Sequence, residues 1–347
     1  MRESAVRQGT GGDKIDTQSP ASALPLIDLA REAAEPAARR RFLADLREAA
    51  HDVGFFYLTG HGVAENGDVL SVARKFFDLP TQEKRAVDMI RSPHFRGYSR
   101  LGAELTRGRP DWREQFDIGA EGERRWRPGD PAWMRLQGPN QWPDALPELR
   151  SLLLSWQGAV TAAAVRLLRA FAEALGQAAD AFEPLYRSAP NQHIKIIRYP
   201  AQDGAGGAHG VGPHKDSGLL TFVLQDDVGG LEVEREDGSW IAAAPLPGSL
   251  VVNIGELLEI ATNGYLRATV HRVVPPAGRD RLSAAFFLGA SHEATTPILD
   301  LPPELAARAR GAEADPDNPL FRHAGENYLK GRLRSHPDVA GRHYADL

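Results

Sequence analysis

A histidine, a lysine and an aspartate stand together in the stretch GPHKDSGLL, residues 212–220. Imidazole and carboxylate groups are costly to bury unless something binds them, yet strand-forming residues follow at once. Side chains alternate faces along a strand, so we expect His214 and Asp216 to point the same way and Lys215 the opposite way. An imidazole beside a carboxylate supplies two of the three ligands of the facial arrangement that leaves open positions on ferrous iron. The pair alone is a weak signal, because surface turns with a solvated acid often contain it.

A third ligand has to come from elsewhere in the chain. His61 lies in a GHG turn and His209 in a glycine-rich loop, where exposure is the ordinary expectation. His193 begins a strand. His271, in RATVHRVV, lies among apolar and β-branched neighbours, where an unpaired imidazole is least tolerated. We therefore predict that His271 completes the metal site, in preference to His193 or His209.

A candidate anion site follows the turn PPAGRD. In RLSAAFF, Arg281 and Ser283 share a strand face, and the hairpin returns them towards His271. A guanidinium beside a hydroxyl forms a fork that suits a carboxylate. An exposed edge-strand arginine would be the simpler interpretation if this motif stood alone, but it follows a three-ligand metal set.

The elements that position these residues are predicted from the sequence pattern, which changes at residue 191 to a series of short strand-like runs. Seven strand-like runs occur within about a hundred residues, separated by turn sequences such as DDVGG and EDGS. The runs are HIKIIRYP, LLTFVLQ, LEVER, SWIAAAP, SLVVNIG, RATVHRVV and RLSAAFFLG. Short strands at this spacing are typical of a sandwich or barrel. We predict an α+β fold whose double-stranded β-helix (jelly-roll) core follows a helical N-terminal region.

The sequence pattern divides the whole chain into four segments. Residues 1–22 are polar and glycine-rich, and we predict a disordered tail there. Residues 23–145 form an N-terminal region with helices near 34–54 and 65–78 and a long loop over 92–119. Residues 146–300 contain a long helix, about 146–176, followed by the jelly roll. Residues 301–347 return to helix and loop.

Composition excludes several classes of protein. The formal net charge is -5 and no basic block is present, which argues against a nucleic-acid-binding surface. The chain has no cysteine, so disulfides and thiolate metal sites are excluded and a reducing, cytoplasmic location is expected. No signal peptide is expected at the N-terminus. The longest apolar tract carries Arg166, Arg169 and Glu173, so we predict a packed helix and no membrane span.

These motifs together resemble the 2-oxoglutarate- and Fe(II)-dependent oxygenases, in the branch that includes isopenicillin N synthase. The family's H-x-D, distal histidine and R-x-S correspond to the residues described above, in the same order and at similar spacing. GPHKDSGLLTFVLQDDVGGLEV resembles its metal-strand signature, and DVGFFYLTGHGV and KFFDLPTQEK resemble its N-terminal region. The likeness covers roughly residues 23–300.

The resemblance implies a role for each of these motifs and for the small molecules that bind them. His214, Asp216 and His271 would hold Fe(II), 2-oxoglutarate would chelate the iron, and dioxygen would take the remaining position. Arg281 and Ser283 would hold the far carboxylate of 2-oxoglutarate.

One departure concerns the strand before the metal motif, where many relatives carry Asn-Tyr-Tyr-Pro and this chain has IIRYP. Tyr199 remains, and its hydroxyl is expected to join the carboxylate clamp. Lys195 shares a face with Ile197 and Tyr199, so it is a further candidate for the co-substrate. A lysine whose ammonium reaches solvent at the sheet edge is an equal alternative.

In this interpretation the substrate is a small molecule. The sequence gives less information about the residues that contact it than about the metal ligands. Residues 97–119 are expected to line the mouth of the site, which makes Tyr98, Glu104 and Phe116 candidate contacts alongside Phe287 on the strand of Arg281. Ordinary loop packing is the competing interpretation for the first three. Glu104, as a single acid, hints at a cationic or amino-acid-like substrate.

The predicted activity is oxidation of an unactivated C–H bond, with hydroxylation as the default outcome and release of succinate and CO2. Two alternatives remain open: an oxidase of the same fold that does not use 2-oxoglutarate, and a non-catalytic metal-binding module. A monomer or weak homo-oligomer is expected, without a nucleic-acid or membrane partner.

Overall fold

The computed structural model describes residues 23–64, 66–202, 209–312 and 318–347. The predicted tail over residues 1–22 lies outside these ranges. Eight α-helices in the described residues are α1 (Pro36–Asp52), α2 (Asn66–Phe77), α3 (Thr81–Ala86), α4 (Glu148–Ala174), α5 (Glu256–Ala261), α6 (Pro303–Ala306), α7 (Ala324–Ser335) and α8 (Pro337–His343).

The strands lie in the order that the alternating and apolar runs predict. They are β1 (Leu26–Asp28), β2 (Phe55–Thr59), β3 (Gly97–Ser99), β4 (Leu105–Thr106), β5 (Arg109–Pro110), β6 (Glu114–Ile118), β7 (Asn191–Tyr199), β8 (Val211–His214), β9 (Leu220–Gln225), β10 (Leu231–Glu234), β11 (Trp240–Ala242), β12 (Leu250–Ile254), β13 (His271–Val273) and β14 (Arg281–Gly289). All seven predicted runs from residue 191 onwards are strands.

Two facing sheets form the core of the molecule. The larger has eight strands in the order β1-β2-β12-β9-β14-β7-β6-β3, and the smaller has four in the order β11-β10-β13-β8. Neighbours in the larger sheet are antiparallel except for β1 and β2, which pair in parallel. Apolar side chains of both sheets, such as Val233, Ile197 and Val251, meet in the space between them. This arrangement is the predicted jelly-roll core.

The predicted boundary near residue 145 does not separate two folding units. Four strands that precede it, β1, β2, β3 and β6, hydrogen-bond into the same eight-stranded sheet as the later strands. β6 pairs with β7 over five residues, Glu114 to Ile118. The N-terminal region therefore completes the sheet that carries the candidate site.

Helix α4 is long and apolar enough to cross a membrane by length and composition. In the structure it packs against α1, α2, β7 and β14, as the sequence predicted for a helix with internal charges. Its fully buried residues include Leu153, Trp156 and Phe171. Trp156 meets the ring of Phe286 edge to face, with 6.5 Å between ring centroids. The helix thus covers the outer face of the large sheet and leaves the inner face to the site.

Candidate active site

The predicted metal ligands meet where the two sheets come together. His271 at the start of β13 is the direct strand partner of His214 at the end of β8. Asp216, however, is not on the same strand face as His214, because β8 ends at His214 and the chain then crosses towards β9. The alternation argument for this pair was therefore wrong. The turn brings the carboxylate to the same point.

The three side chains form a compact donor set. Their ligand atoms all lie within 4.8 Å of one another. Nε2 of His214 is 3.5 Å from Oδ1 of Asp216, and Nε2 of His271 is 3.7 Å from Oδ2. The two imidazole rings are tilted, with centroids 4.3 Å apart. His193 and His209, the alternatives considered for the third ligand, lie apart from this set beside Asp117 and Asp111.

Hydrogen bonds from the surrounding backbone orient each imidazole. Nδ1 of His214 lies 2.9 Å from the carbonyl oxygen of Gly212, and Nδ1 of His271 lies 3.2 Å from that of Thr269. A carbonyl only accepts, so each Nδ1 carries the proton and each Nε2 presents its lone pair to the centre. Carbonyl partners of this kind fix the tautomer of metal-binding histidines.

Two polar side chains hold Asp216. The hydroxyl of Thr221 and the side-chain amide of Asn253 both donate to Oδ2, at 2.6 and 2.8 Å. Burial by itself would raise the pKa of Asp216, but the two histidines and the Thr221 hydrogen bond outweigh it, so the pKa is lowered and the carboxylate stays ionised. Burial, reinforced by the neighbouring His214, lowers the pKa of His271 to about 4, so this imidazole is neutral at pH 7. An anionic oxygen and neutral nitrogens are the forms that bind a metal.

The anion clamp lies along the large sheet from this donor set. Arg281 is 1% exposed and donates to Ser283 Oγ at 3.2 Å and to Gln225 Oε1 at 3.1 Å. Its guanidinium lies 5.0 Å from the ring centroid of Tyr199, its strand partner on β7. No carboxylate among the described residues pairs with Arg281, and its Nε has no hydrogen-bond partner. A buried, unmatched guanidinium requires an anion from outside the chain.

The residues present fit both groups that the resemblance implies. Two oriented imidazoles and one ionised carboxylate are the donors of a facial Fe(II) site. Arg281, Ser283 and Tyr199 would hold the far carboxylate of 2-oxoglutarate. Zinc would also accept this donor set, but the unmatched guanidinium adds a requirement that a metal alone does not meet.

Lys195 is not part of that clamp. It lies four residues along β7 from Tyr199, and its ammonium donates to both carboxylate oxygens of Glu104, at 2.6 and 2.7 Å. Arg113 donates to the same carboxylate at 2.8 Å. The charge of Lys195 is therefore matched within the protein, which corrects both its assignment to the co-substrate and the alternative of a solvated ammonium. Glu104 is likewise neutralised and is not available to a cationic substrate.

A wider network of buried charges continues from this pair. Oδ1 of Asp117 lies 2.8 Å from Nε2 of His193 and 3.5 Å from Arg332 of helix α7. Arg332 also donates to the hydroxyl of Tyr328, at 2.8 Å. Burial tends to lower the pKa of Arg332, but Tyr328, Asp117 and Glu104 raise it overall. Three acids and four cations are gathered in this part of the structure: Glu104, Asp111, Asp117, Arg96, Arg113, Lys195 and Arg332.

A cavity of about 1040 Å³ joins the metal donors to this network. Phe287 lines it, as predicted for a pocket wall, and so does Glu104. Tyr98 and Phe116 do not reach it. They are strand partners on the opposite face of the sheet, where both pack on Phe76 of α2 and the Tyr98 hydroxyl donates to Glu114. Their prediction as substrate contacts was therefore wrong.

Several residues of the site were not predicted from the sequence. Arg113, Glu256, Tyr328 and Arg332 line the cavity, and Asn253 orients a ligand. The sequence did contain a sign of the role of Asn253. In the run SLVVNI it is the one polar residue among the apolar residues that follow Ser249. The α7 residues carried none, since nothing in their local pattern indicates that the C-terminal segment returns to the jelly roll.

Comparison with known proteins agrees with this geometry. Residues 24–145 match the family model described as the non-haem dioxygenase in morphine synthesis N-terminal region, and residues 190–290 match the 2OG-Fe(II) oxygenase superfamily. A 2-oxoglutarate-dependent dioxygenase of Dothideomycetidae sp. (strain 11243) is 38% identical over 91% of this chain and 90% of its own length. A homoarginine-6-hydroxylase of Arabidopsis thaliana is 35% identical over 80% of this chain and 88% of its own length.

Solved structures show the same architecture. A full-length Neurospora crassa protein, crystallised in complex with alpha-KG and 5-formyluracil, superimposes with a TM-score of 0.73 at 26% identity, over 91% of this chain and 98% of that one. A matched superfamily domain, relatives above 30% identity over most of both chains, and the donor set all agree. The chain therefore belongs to the 2-oxoglutarate- and Fe(II)-dependent oxygenase superfamily, in which it is a dioxygenase that uses Fe(II), 2-oxoglutarate and O2.

Proposed function

We propose that this enzyme hydroxylates an unactivated C–H bond of a small molecule, with release of succinate and CO2. The observation that carries the proposal is the unmatched guanidinium of Arg281 beside a complete His/Asp/His donor set that opens to the large cavity. The names of two relatives support it: the Arabidopsis protein is a homoarginine-6-hydroxylase and a Streptomyces hygroscopicus protein is a validamycin A dioxygenase.

Each part of the site has a defined share in that reaction. Bound Fe(II), together with 2-oxoglutarate and O2, supplies the oxidising chemistry. His214, Asp216 and His271 would hold the metal, while Arg281 and Ser283 would bind and orient the co-substrate. The cavity walls, including Phe287, exclude water and position the carbon to be oxidised.

The test is succinate formation from 2-oxoglutarate by the protein loaded with Fe(II), with a panel of amino acids and other small metabolites. We expect a basal rate without substrate and a higher rate, coupled to a hydroxylated product, with the correct one. Oxygen uptake and product formation without 2-oxoglutarate would identify the oxidase alternative. Metal and ligand binding without oxygen uptake for any compound would identify the non-catalytic module.

The cytoplasmic location, the monomeric or weakly oligomeric state and the absence of nucleic-acid and membrane partners stay predictions. Gel filtration with light scattering measures the oligomeric state directly.

A further inference from the structure

Glu256 is a buried acid without an internal partner at the metal end of the cavity. It begins helix α5, is 6% exposed and lines the cavity. Among the described residues, no side chain or backbone group donates a hydrogen bond to its carboxylate, and no cation forms an ion pair with it. Buried carboxylates are normally paired or hydrogen-bonded. This one therefore needs a partner that the chain does not provide.

The charged groups around Glu256 have other partners. Lys215 pairs with Glu259 at 3.4 Å. Lys330 of α7 donates to Asn327 at 3.0 Å and to the carbonyl oxygen of Pro319. Both ammonium groups are near enough to act on Glu256 through space, while Glu259 and Asp216 add negative charge beside it. Within the described part of the chain, no cation is therefore committed to this carboxylate.

The other lining groups suit an organic cation. The aromatic ring of Phe287 lies in the same cavity, and aromatic faces attract ammonium and guanidinium groups. The ring of Tyr328 already has the guanidinium of Arg332 5.1 Å from its centroid. A second metal ion is a poorer occupant, because one carboxylate is too few ligands to hold it. The co-substrate is an anion and has its own cation in Arg281.

We propose that Glu256 binds a positively charged group of the substrate, an ammonium or a guanidinium, so that the enzyme selects cationic small molecules. This inference rests on the proposed function and names the substrate class of that site. The backbone N–H of Glu256 donates to the carbonyl oxygen of the metal ligand Asp216, at 2.8 Å. The bound cation thus lies on the metal side of the cavity, and the oxidised carbon lies near the charged group.

The test compares molecules that differ by one positive charge: the cation carries a guanidinium or a side-chain ammonium, and its neutral partner carries an uncharged urea or hydroxyl in that place. For the guanidinium, L-arginine is paired with L-citrulline, L-homoarginine with L-homocitrulline, and agmatine with N-carbamoylputrescine. For the ammonium, L-lysine is paired with 6-hydroxy-L-norleucine. Binding is measured by titration calorimetry on the protein loaded with Ni(II) and 2-oxoglutarate, which fills the site without turnover. We expect at least one cation to bind the wild-type protein about ten- to a hundredfold more tightly than its neutral partner, the size of one hydrogen bond to a charged group.

The variant Glu256→Gln keeps the shape and removes the charge, and it should lose this preference. Glu304→Gln, at an exposed position on α6, is the matched control and should retain it. The inference is overturned if no pair shows a preference in the wild-type protein, or if the preference survives in Glu256→Gln. Basal succinate formation by the wild-type protein with Fe(II) tests the proposed function separately, so the two failures are distinguishable.

Discussion

The two ends of the cavity treat buried charge in opposite ways. At the network end, Lys195 and Arg113 neutralise Glu104, and Arg332 neutralises Asp117. At the metal end, Glu256 has no partner among the described residues, and the guanidinium of Arg281, on strand β14, has only neutral partners. One end is complete within the chain, whereas the other is complete only with ligands.

This difference separates a structural role from a binding role. A buried ion pair satisfies the desolvation cost of both groups and rigidifies the elements that carry them. A buried single charge destabilises the ligand-free protein, and it is tolerated where a ligand supplies the counter-charge. Charge type alone did not distinguish the two: Lys195 and Arg281 both looked like co-substrate ligands in the sequence, and only Arg281 lacks an anion of its own among the described residues.

The largest expected effect comes from the metal ligands. Replacing His214, Asp216 or His271 by alanine should reduce succinate formation to background at saturating Fe(II), because two donors cannot retain the metal in the required geometry. The fold should persist, since the two sheets and not the metal form the core. His343→Ala, at a remote half-buried histidine, is the control. Full activity in any of the three ligand variants would contradict the assignment.

The next effect separates co-substrate binding from metal binding. Arg281→Ala removes the counter-charge of a buried carboxylate, a loss of about 3–5 kcal/mol, so the half-saturating concentration of 2-oxoglutarate should rise several hundredfold or more. Ser283→Ala should raise it about ten- to a hundredfold. Arg281→Lys should not rescue, because an ammonium lacks the planar fork. Fe(II) affinity measured without 2-oxoglutarate should barely change. Indifference of both positions to 2-oxoglutarate would place the enzyme with the oxidases.

One substitution in the charge network and one at Arg281 test whether the paired and the unpaired charges differ in their effect on stability. Lys195→Met breaks a buried pair and should lower the free energy of unfolding by about 3–5 kcal/mol, less the part that Arg113 compensates. Arg281→Met breaks no ion pair, so the ligand-free protein should lose less stability or gain some. Urea denaturation of both variants without metal or co-substrate measures this. Equal losses would show that the two ends do not differ.

The smallest effect is a pH dependence at the network end. Burial, opposed by Glu104 and assisted by Arg332, lowers the pKa of His336 to about 4 from its ordinary 6.5. The unfolded chain therefore binds a proton that the folded protein does not, and stability present above pH 6.5 is lost as the pH falls towards 4. At about pH 5 the loss is about 2 kcal/mol. His336→Gln should reduce the difference in unfolding free energy between about pH 8 and about pH 5 by that amount, and an unchanged difference would contradict the shift.

The sequence alone determined the local parts of this protein. The seven strand-like runs, the turns between them and the long helix follow from short-range pattern, and the structure has all of them. The order and spacing of His214, His271 and Arg281 indicated one site because their motifs resemble those of the oxygenase family. The choice of His271 over His193 followed from burial without a partner. Each of these inferences needed only the neighbours of a residue along the chain.

Only the tertiary structure decided which strand and helix faces pack against each other and which side chains reach the site. Strand β6 is buried on both sides. The alternation of its side chains therefore could not show that Asp117 faces His193 and Arg332 while Phe116 faces helix α2. Asp216 reaches the site from a turn between strands, a path that depends on how the two sheets pack. Arg332 enters from a helix 139 residues beyond its partner His193. Long-range pairing of charges carries no local pattern, because the partners are neighbours only after the sheets and helix α7 have packed.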